Sequence, residues 1–303
     1  MKQPDLSALL VCFRSQKYLG NCVRSLKKAA EKTDLSLEII IVINDRHKKG
    51  YDSIKGAKIF HDGINHGYAE GINHGARLAK GKWLLIANPD TETDPAAFRG
   101  LKKHFPDNHT AIVGPKIINP VNKLQLSVNF EPSLWNIFLE QSFLYKLLPV
   151  LPQSKANPAL YNQTHGVEAV EGTYFAVRKD VFQKTGGMDK RFFLYFEDLD
   201  LCRRVRKSGY RIIFDHEILV FHHSKKSSGG VTDGSYYIRS LYIYLRKYHG
   251  KTYAITAIRL LYLGSLLRLF FWKIRRGKSE NQKTVYLKRV IDEFRKTGLE
   301  IKL

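Results

Sequence analysis

Cysteine is scarce in this chain of 303 residues: Cys12, Cys22 and Cys202 are far apart and odd in number. Three such residues build neither a disulfide framework nor a zinc knuckle. We therefore expect a reducing compartment. Only 10 prolines and 22 glycines are present, which excludes collagen-like and linker-like architectures. With 44% hydrophobic residues, the chain can bury a sizeable core.

Long uncharged apolar runs are also missing. Near the N-terminus only residues 6–13 are apolar before Arg14 follows, so no signal peptide is expected. The longest apolar stretch, residues 254–274, contains Arg259 and Arg268, and a charge at bilayer depth is costly. We expect this stretch to be an interfacial or core helix.

Acidic residues are clearly too few to balance the basic ones. The chain has 28 Asp and Glu and 50 Lys and Arg, which gives a formal net charge of +22. Such a charge indicates an anionic partner: nucleic acid, a phosphorylated substrate or an acidic membrane surface. Of this charge, +12 lies between Arg239 and Leu303. No recognised nucleic-acid motif accompanies it, so binding to nucleic acid is not expected.

Short apolar runs rich in β-formers alternate with helical patterns in the first half of the chain. This alternation predicts an α/β fold with a doubly wound, mostly parallel sheet. Strands are predicted at residues 6–13, 38–43, 57–60, 82–87, 111–118, 210–214 and 218–221, with extended chain at 167–177. Helices are predicted at residues 18–30, 68–79, 95–104, 179–184 and 197–208.

The pattern also predicts a domain organisation. Residues 1–234 are expected to form the α/β domain, and residues 119–166, which have no clear period, an irregular insertion that sets specificity. Residues 235–303 are expected to form a basic, amphipathic helical region.

One carboxylate directly follows a predicted central strand, in the sequence Asn88-Pro89-Asp90. Proline cannot continue such a strand, and open α/β sheets bind ligands at this edge. An oxygen ligand at Asp90 suits a divalent cation that holds a diphosphate. Alternatively, this turn only caps the helix that begins at Pro95, a role that suits Asp94 better.

A second group of carboxylates, Glu197, Asp198 and Asp200, opens a predicted helix after an aromatic run. Crowded carboxylates beside an apolar wall have raised pKa values, as a general base requires. The alternative is that acids merely favour a helix N-terminus. Asp200 faces differently and pairs with Arg203 or Arg204 in that interpretation.

Paired histidines, His222 and His223, follow the last predicted strand. One of them is expected to bind a metal or a phosphate, the alternative being a solvated turn. The basic loop at residues 224–230 is suited to closing over phosphates, or is a linker.

Together these residues resemble one enzyme family. The stretches NHGYAEGINHG at 65–75, LLIANPDTE at 84–92 and FFLYFEDLDLC at 192–202, with His222 after them, resemble the inverting family-two glycosyltransferases of the GT-A fold. Within that family the resemblance is to bacterial rhamnosyltransferases of surface-polysaccharide assembly. It extends from about residue 6 to residue 230, with the motifs in the expected order.

The resemblance implies roles for the matching residues. Asp90 would bind Mg²⁺ or Mn²⁺, His222 would be a further contact to the metal or the diphosphate, and Asp198 would be the catalytic base. At the second strand the chain departs from the family pattern, which leaves the nucleobase contact open between Asn44 and Asp45. The implied donor-binding residues are Phe13, Arg14, Asn44, Asp45, Asn65, Gly71, Asn73, Asn88, Gly172, Glu197 and Arg204.

The function implied is inverting transfer of a sugar, preferably L-rhamnose from dTDP-rhamnose, to a hydroxyl of a glycan or lipid-linked glycan. Alternatives are another donor (UDP-hexose, UDP-N-acetylhexosamine or a galactofuranose nucleotide) or a non-catalytic protein that binds nucleotide sugars or nucleic acid. We expect a cytoplasmic protein, peripheral on the anionic inner face of the cytoplasmic membrane. The alternative is that the basic helices pack on the catalytic domain or on a second copy of the chain in a homo-oligomer.

Overall fold

The computed structural model describes residues 3–51, 54–142, 158–223 and 234–276, together with residues 288, 291, 292 and 294. Ten of the strands in these residues are β1 (Leu6–Cys12), β2 (Leu37–Ile43), β3 (Lys58–Phe60), β4 (Trp83–Ala87), β5 (Thr91–Thr93), β6 (Thr110–Ile118), β7 (Leu124–Gln125), β9 (His165–Gly166), β11 (Tyr174–Arg178) and β12 (Arg211–His222). They form one sheet in the order β3-β2-β1-β4-β11-β6-β12-β5, with β7 beside β6 and β9 beside β12. Strands β8 (Val128–Asn129) and β10 (Ala169–Val170) pair separately.

The sheet is mostly parallel. Strands β3, β2, β1 and β4 run parallel to one another, and β12 runs parallel to β6. Strand β11 is antiparallel to both β4 and β6, and β5 is antiparallel to β12. All seven residues of β1 are buried, as in a strand that is covered on both faces. The predicted α/β fold with a mostly parallel sheet is confirmed.

The helices are α1 (Gln16–Glu31), α2 (Gly67–Leu78), α3 (Pro95–His104), α4 (Leu134–Gln141), α5 (Lys179–Lys184), α6 (Glu197–Lys207), α7 (Gly234–His249) and α8 (Lys251–Arg276). The cap of α3 is the predicted one, because the Asp94 side chain accepts a hydrogen bond from the Ala96 N–H at 2.7 Å. Helix α6 stops before Gly209, whose φ of +86° is the left-handed conformation that ends helices.

Three predictions about local structure are wrong. The two strands at 210–214 and 218–221 are one strand, β12, whose pairing with β6 shifts register between Asp215 and Leu219. The extended chain at 167–177 is split between β10 and β11. The described part of residues 119–166 is not irregular: it contains β7, β8, β9 and α4, whose N-cap Ser133 accepts from the Asn136 N–H. These elements are too short to produce a period in the sequence.

In the described part of the chain, the elements belong to two compact units. The first contains residues 1–130, 155–193 and 197–230, and therefore the whole sheet. The second contains residues 131–154, 194–196 and 231–303, and therefore α4, α7 and α8. The predicted boundary at residue 234 stays a prediction, and the loop at 224–230 lies outside the described residues.

In the second unit, α8 packs against α7 and α4. The Leu134 N–H donates to the Tyr253 hydroxyl at 2.9 Å, and a Cβ on Gly264 would lie 2.4 Å from the Gln141 side chain. Among the described residues, one segment, Lys251–Phe271, is long and apolar enough to cross a membrane, with a mean hydropathy of 1.6. Core helices of soluble proteins have the same length and composition, so these two properties do not by themselves identify a membrane-spanning helix.

Candidate active site

Several of the predicted site residues lie at the carboxyl edge of the sheet. Strands β1, β2 and β4 end there, followed by Phe13, Asn44 and Asn88 respectively. Because β11 is antiparallel, with Tyr174 opposite Ala87, its N-terminal end and the preceding loop reach the same edge. Every predicted site residue belongs to the first unit.

Pairing between two strands brings Asp90 next to His222. Strand β5 runs antiparallel to the end of β12, with Thr91 opposite His222. As a result, His222 Nε2 lies 3.1 Å from Asp90 Oδ1, although 132 residues separate them in the chain. Asp90 is 1% exposed and His222 is 7% exposed, so little water reaches this pair.

Two polar side chains hold the other side of the His222 ring. Nδ1 of His222 lies 2.7 Å from Gln125 Oε1. The amide nitrogen of Gln125 donates to Glu171 Oε2 at 2.8 Å. Hydrogen bonds thus connect β12, β7 and the loop before β11.

Tyr68 closes this network into a ring. Its hydroxyl lies 2.8 Å from the Gly172 carbonyl oxygen and 3.2 Å from Asn88 Oδ1. Burial raises the pKa of Tyr68 well above its ordinary value, and the charges of Glu197 and Asp198 raise it further, so the hydroxyl keeps its proton. We call the network the polar ring; its members are Tyr68, Asn88, Pro89, Asp90, Gln125, Glu171, Gly172 and His222.

Asp198 contacts the polar ring at Gly172. The Gly172 N–H donates to Asp198 Oδ2 at 2.6 Å, and the Leu199 N–H donates to Oδ1 at 2.7 Å. A Cβ on Gly172 would lie 3.2 Å from Asp198 Oδ2, so a side chain there would crowd the carboxylate. Burial raises the pKa of Asp198 to about 6 against the lowering effect of the two N–H donors, and the Glu171 charge also raises it.

The raised pKa predicts how activity depends on pH. A base must be deprotonated, so kcat/KM should rise about tenfold per pH unit below about pH 6 and level off above it. The stability effect has the opposite sign: the folded protein retains a proton that the unfolded chain releases, so this contribution is lost as the pH rises through about 6. Initial rates between pH 4.5 and 8.5, with donor and acceptor below saturation, measure the profile; a flat profile contradicts the assignment.

Glu197 is a second buried acid beside Asp198. It is 4% exposed, and its Oε2 has no hydrogen-bond partner in the described part of the chain. Burial raises the pKa of Glu197 well above its ordinary value, and the neighbouring Asp198 raises it further. Directly before it, Tyr195 and Phe196 have φ angles of 72° and 67°. Such strained backbone is concentrated at functional sites.

Asp90 and His222 offer donor atoms that suit Mg²⁺ or Mn²⁺. Neighbouring ligands of an octahedral ion at about 2.1 Å lie about 3 Å apart, and Nε2 and Oδ1 are 3.1 Å apart. No group of three or more His, Cys, Asp or Glu residues is arranged to hold a metal within the described ranges. The pair fits a cation whose other ligands are water and a bound diphosphate.

The ends of β1 and β2 form a second polar region. The Arg14 N–H donates to Asp45 Oδ2 at 2.8 Å, and the Tyr51 hydroxyl donates to the same oxygen. Phe13 is 40% exposed, and the Arg14 guanidinium lies 5.1 Å from the centre of its ring. Asn44 is 3% exposed, and its Oδ1 has no partner among the residues described.

Three further predicted residues lie in helix α2 or just before it. Asn65 Oδ1 accepts from the Gly67 N–H at 3.0 Å, at the start of the helix. Gly71 is packed against β1, since a Cβ there would lie 2.8 Å from Val11. Asn73 Nδ2 donates to the Met188 carbonyl and its Oδ1 accepts from the Met188 N–H, at 2.8 and 2.9 Å. All three have structural contacts, and their donor-binding role stays a prediction.

Arg204 and His223 are likewise engaged. Arg204 Nε donates to Asp200 at 2.8 Å, which is one of the pairings predicted, and Nη1 donates to the Thr185 carbonyl oxygen. His223 lies 2.8 Å from Glu92 rather than at the Asp90 carboxylate. Of the two histidine side chains, His222 is therefore the one that contacts the Asp90 carboxylate.

Three members of the polar ring were not predicted from the sequence: Gln125, Glu171 and Tyr68. Tyr68 lies inside the NHGYAEGINHG stretch, which is a signal that could have identified it. Glu171 precedes Gly172, which the resemblance did single out. Gln125 lies in a two-residue strand, and no pattern in the sequence marks it.

Fold and site together define a class of α/β protein: a mostly parallel sheet carries a strand-end aspartate at the carboxyl edge, where open α/β sheets bind ligands. The family described as "Glycosyl transferase family 2" matches residues 7–184, and the chain belongs to this family. The resemblance inferred from the sequence is confirmed.

Three relatives are similar in sequence. The low-salt glycan biosynthesis hexosyltransferase Agl10 of Haloferax volcanii is 24% identical over 214 residues, 69% of this chain and 64% of the relative. The N-acetylglucosaminyl-diphospho-decaprenol L-rhamnosyltransferase of Mycobacterium tuberculosis is 28% identical over 185 residues, 58% of this chain and 55% of the relative. Rhamnosyltransferase WbbL of Escherichia coli is 33% identical over 72 residues, 23% of this chain and 27% of the relative.

The chain thus spans less than two thirds of these relatives' own length. Among solved structures, residues 1–349 of Staphylococcus aureus TarS superimpose with a TM-score of 0.52 at 12% identity, over 97% of this chain and 92% of that one. Such a similarity supports the fold and not a particular substrate.

Proposed function

We propose that the chain transfers a sugar, with inversion, from a nucleotide diphosphate to a hydroxyl group of a glycan or lipid-linked glycan. The observation that carries this proposal is the polar ring: it connects a buried carboxylate and imidazole, Asp90 and His222, to Asp198, a carboxylate with a raised pKa. The Asp90–His222 pair suits a diphosphate leaving group, and Asp198 suits removal of a hydroxyl proton.

Asp198 is the proposed general base. As the acceptor oxygen forms its bond to the anomeric carbon, the hydroxyl proton passes to a carboxylate oxygen of Asp198. Each carboxylate oxygen accepts one backbone N–H and retains a lone pair for this proton. The bond from the anomeric carbon to the diphosphate breaks on the opposite face, and the electron pair leaves with the nucleotide.

Asp90 and His222 are the residues proposed to hold Mg²⁺ or Mn²⁺. A bound divalent cation supplies Lewis-acid stabilisation of the charge that develops on the diphosphate. The two residues are almost fully buried, which strengthens electrostatic interactions at this position.

The nucleotide is proposed to lie along the ends of β1 and β2. An exposed aromatic ring at Phe13 suits stacking with a base, and the Arg14 guanidinium suits an anion. The unpartnered Oδ1 of Asn44 is a free acceptor there among the described residues. The proposed donor-binding set also includes Asp45, Asn65, Gly71, Asn73, Asn88, Gly172, Glu197 and Arg204.

The preferred donor in this proposal is dTDP-rhamnose, because two of the relatives are named rhamnosyltransferases. The name of the mycobacterial relative includes an N-acetylglucosaminyl-diphospho-decaprenol, which supports a lipid-linked acceptor here. Because another relative is named a hexosyltransferase, a hexose nucleotide is the second candidate donor.

A donor screen tests the proposal. The intact protein with Mn²⁺ is heated in the presence of dTDP-rhamnose, UDP-glucose, UDP-N-acetylglucosamine or UDP-galactofuranose. A ligand at 100 times its Kd stabilises the folded state by about 2.7 kcal/mol, so the true donor should raise the Tm by several degrees. It should also be hydrolysed or transferred. Binding without turnover favours a non-catalytic module, and no shift with any donor overturns the proposal.

An apolar surface on α8 supports membrane association. Leu263, Leu267, Phe270 and Phe271, which we call the apolar helix face, are between 53% and 60% exposed. Their spacing puts them on one side of the helix. The sequence continues with Lys273, Arg275 and Arg276, and each cation near an anionic surface contributes about 1 kcal/mol. We propose that this face lies on the anionic cytoplasmic side of a membrane.

Polar substitution on this face should abolish vesicle binding. The intact protein should sediment with phosphatidylglycerol vesicles at low salt and be released at high salt, because surface charge is screened. The double variant Leu267→Gln/Phe270→Gln should remain in the supernatant, and Leu78→Gln, an exposed leucine of the first unit, should not change sedimentation. If the wild-type protein does not bind these vesicles but forms dimers, and the double variant forms none, the apolar helix face binds a second copy of the chain instead.

A further inference from the structure

The environment of His222 fixes which of its two ring nitrogens carries a proton. The parallel pairing of β12 with β6 puts Val220 opposite Ile117, and the β6–β7 hairpin puts Gln125 opposite the same residue. Gln125 is thereby brought to the His222 ring, where its Oε1 lies 2.7 Å from Nδ1.

The orientation of the Gln125 amide is set by Glu171. A carboxylate only accepts hydrogen bonds, so the amide nitrogen of Gln125 must face Glu171 Oε2, at 2.8 Å. The reversed amide would bring two acceptors together at that distance. The amide oxygen of Gln125 therefore faces His222, and only a protonated Nδ1 can donate to it.

This arrangement has a consequence for the other ring nitrogen. With a proton held on Nδ1, the ring nitrogen that can offer a lone pair to a cation is Nε2, 3.1 Å from Asp90 Oδ1. Two acceptor atoms at that distance need a positively charged partner between them, a proton or a metal cation. Because the pair is buried, solvent does little to replace that partner.

We propose that Gln125 and Glu171 are positioning residues: they hold His222 as the Nδ1–H tautomer and so present the Nε2 lone pair to a divalent cation shared with Asp90. The proposal rests on the metal-binding role of Asp90 and His222 proposed above. Hydrogen-bonded partners of this kind around ligating histidines change metal affinity by roughly 10–100-fold.

Two readouts on the intact protein test this inference. The ¹⁵N chemical shifts of the His222 ring, in protein without added metal, report the tautomer directly. The EPR signal of free Mn²⁺ gives the affinity for the metal alone. In Gln125→Leu, we expect the Nδ1–H tautomer to lose its dominance and the affinity for Mn²⁺ to fall roughly 10–100-fold.

Substitutions at Glu171 separate positioning from general damage to the fold. In Glu171→Gln the new amide oxygen still accepts from Gln125, so tautomer and Mn²⁺ affinity should stay near wild type. Glu171→Leu removes the acceptor and should behave like Gln125→Leu. The control Gln163→Leu changes an exposed glutamine and should alter neither readout.

Wild-type His222 without a proton on Nδ1 overturns the inference. So does an unchanged tautomer in Gln125→Leu. If the wild-type protein binds no Mn²⁺, the metal-binding part of the proposed function fails; the ring spectra of the wild type and Gln125→Leu then decide the positioning role by themselves.

Discussion

Replacing Asp198 with asparagine is expected to lower the rate of sugar transfer roughly 10²–10⁴-fold and to leave donor affinity nearly unchanged. Asparagine keeps the shape of the side chain but cannot take the acceptor's proton. It also accepts only one of the two hydrogen bonds from the N–H groups of Gly172 and Leu199, so a modest loss of stability is expected as well. Single-turnover transfer and donor titration on the same preparation separate these effects.

Asp34→Asn provides the matched control for this substitution. Asp34 is exposed and has a φ of 52°, a conformation that asparagine adopts readily. Its transfer rate should equal that of the wild type. Near-normal turnover in Asp198→Asn would remove Asp198 from the mechanism.

Replacing Asp90 with alanine is expected to weaken donor binding and metal dependence together. Lewis-acid stabilisation of the leaving diphosphate contributes several kcal/mol, and each 1.36 kcal/mol is tenfold in rate, so transfer should fall on the order of 10²–10³-fold. The measurement is the rate as a function of Mn²⁺ concentration for the wild type and the variant. The isosteric Asp90→Asn should show the same defect with less disturbance of the buried site.

Asp94→Ala is the control for that experiment. It removes a carboxylate four residues further along the chain together with the cap bond to Ala96, and should lower stability by about 1 kcal/mol. Its metal dependence should be that of the wild type. Full wild-type activity in excess chelator would contradict the role given to Asp90.

Much of this architecture follows from local sequence patterns. Buried strands such as β1 and β4 are continuous apolar runs, and the break after β4 is marked by Pro89, so the strand-end position of Asp90 was predictable. The direction of β11 was not, because an antiparallel and a parallel buried strand have the same apolar composition.

The contacts of the site depend on register, which the sequence does not reveal. Asp90 and His222 meet because β5 pairs with β12 at one particular offset, and Gln125 reaches His222 only through the hairpin on β6. The resemblance to the family identified Asp90 and His222, but not the residues that hold them in place. Asn73 illustrates the converse: it was predicted to bind the donor, and both of its amide atoms hold Met188. A motif residue can serve the fold as well as the chemistry.

The separated stretches of the second unit affect how the protein is made. Residue 131 is synthesised roughly 100 residues before residue 231, where the last stretch begins, an interval of about 5–20 s at usual rates of translation. During that time α4 exists without α8, so Ile137 and Leu139, 7% and 4% exposed in the finished structure, have no helix to cover them. The nascent chain therefore exposes apolar side chains of α4 until α8 has been made. A truncation that removes α8 is expected to lower the folding yield.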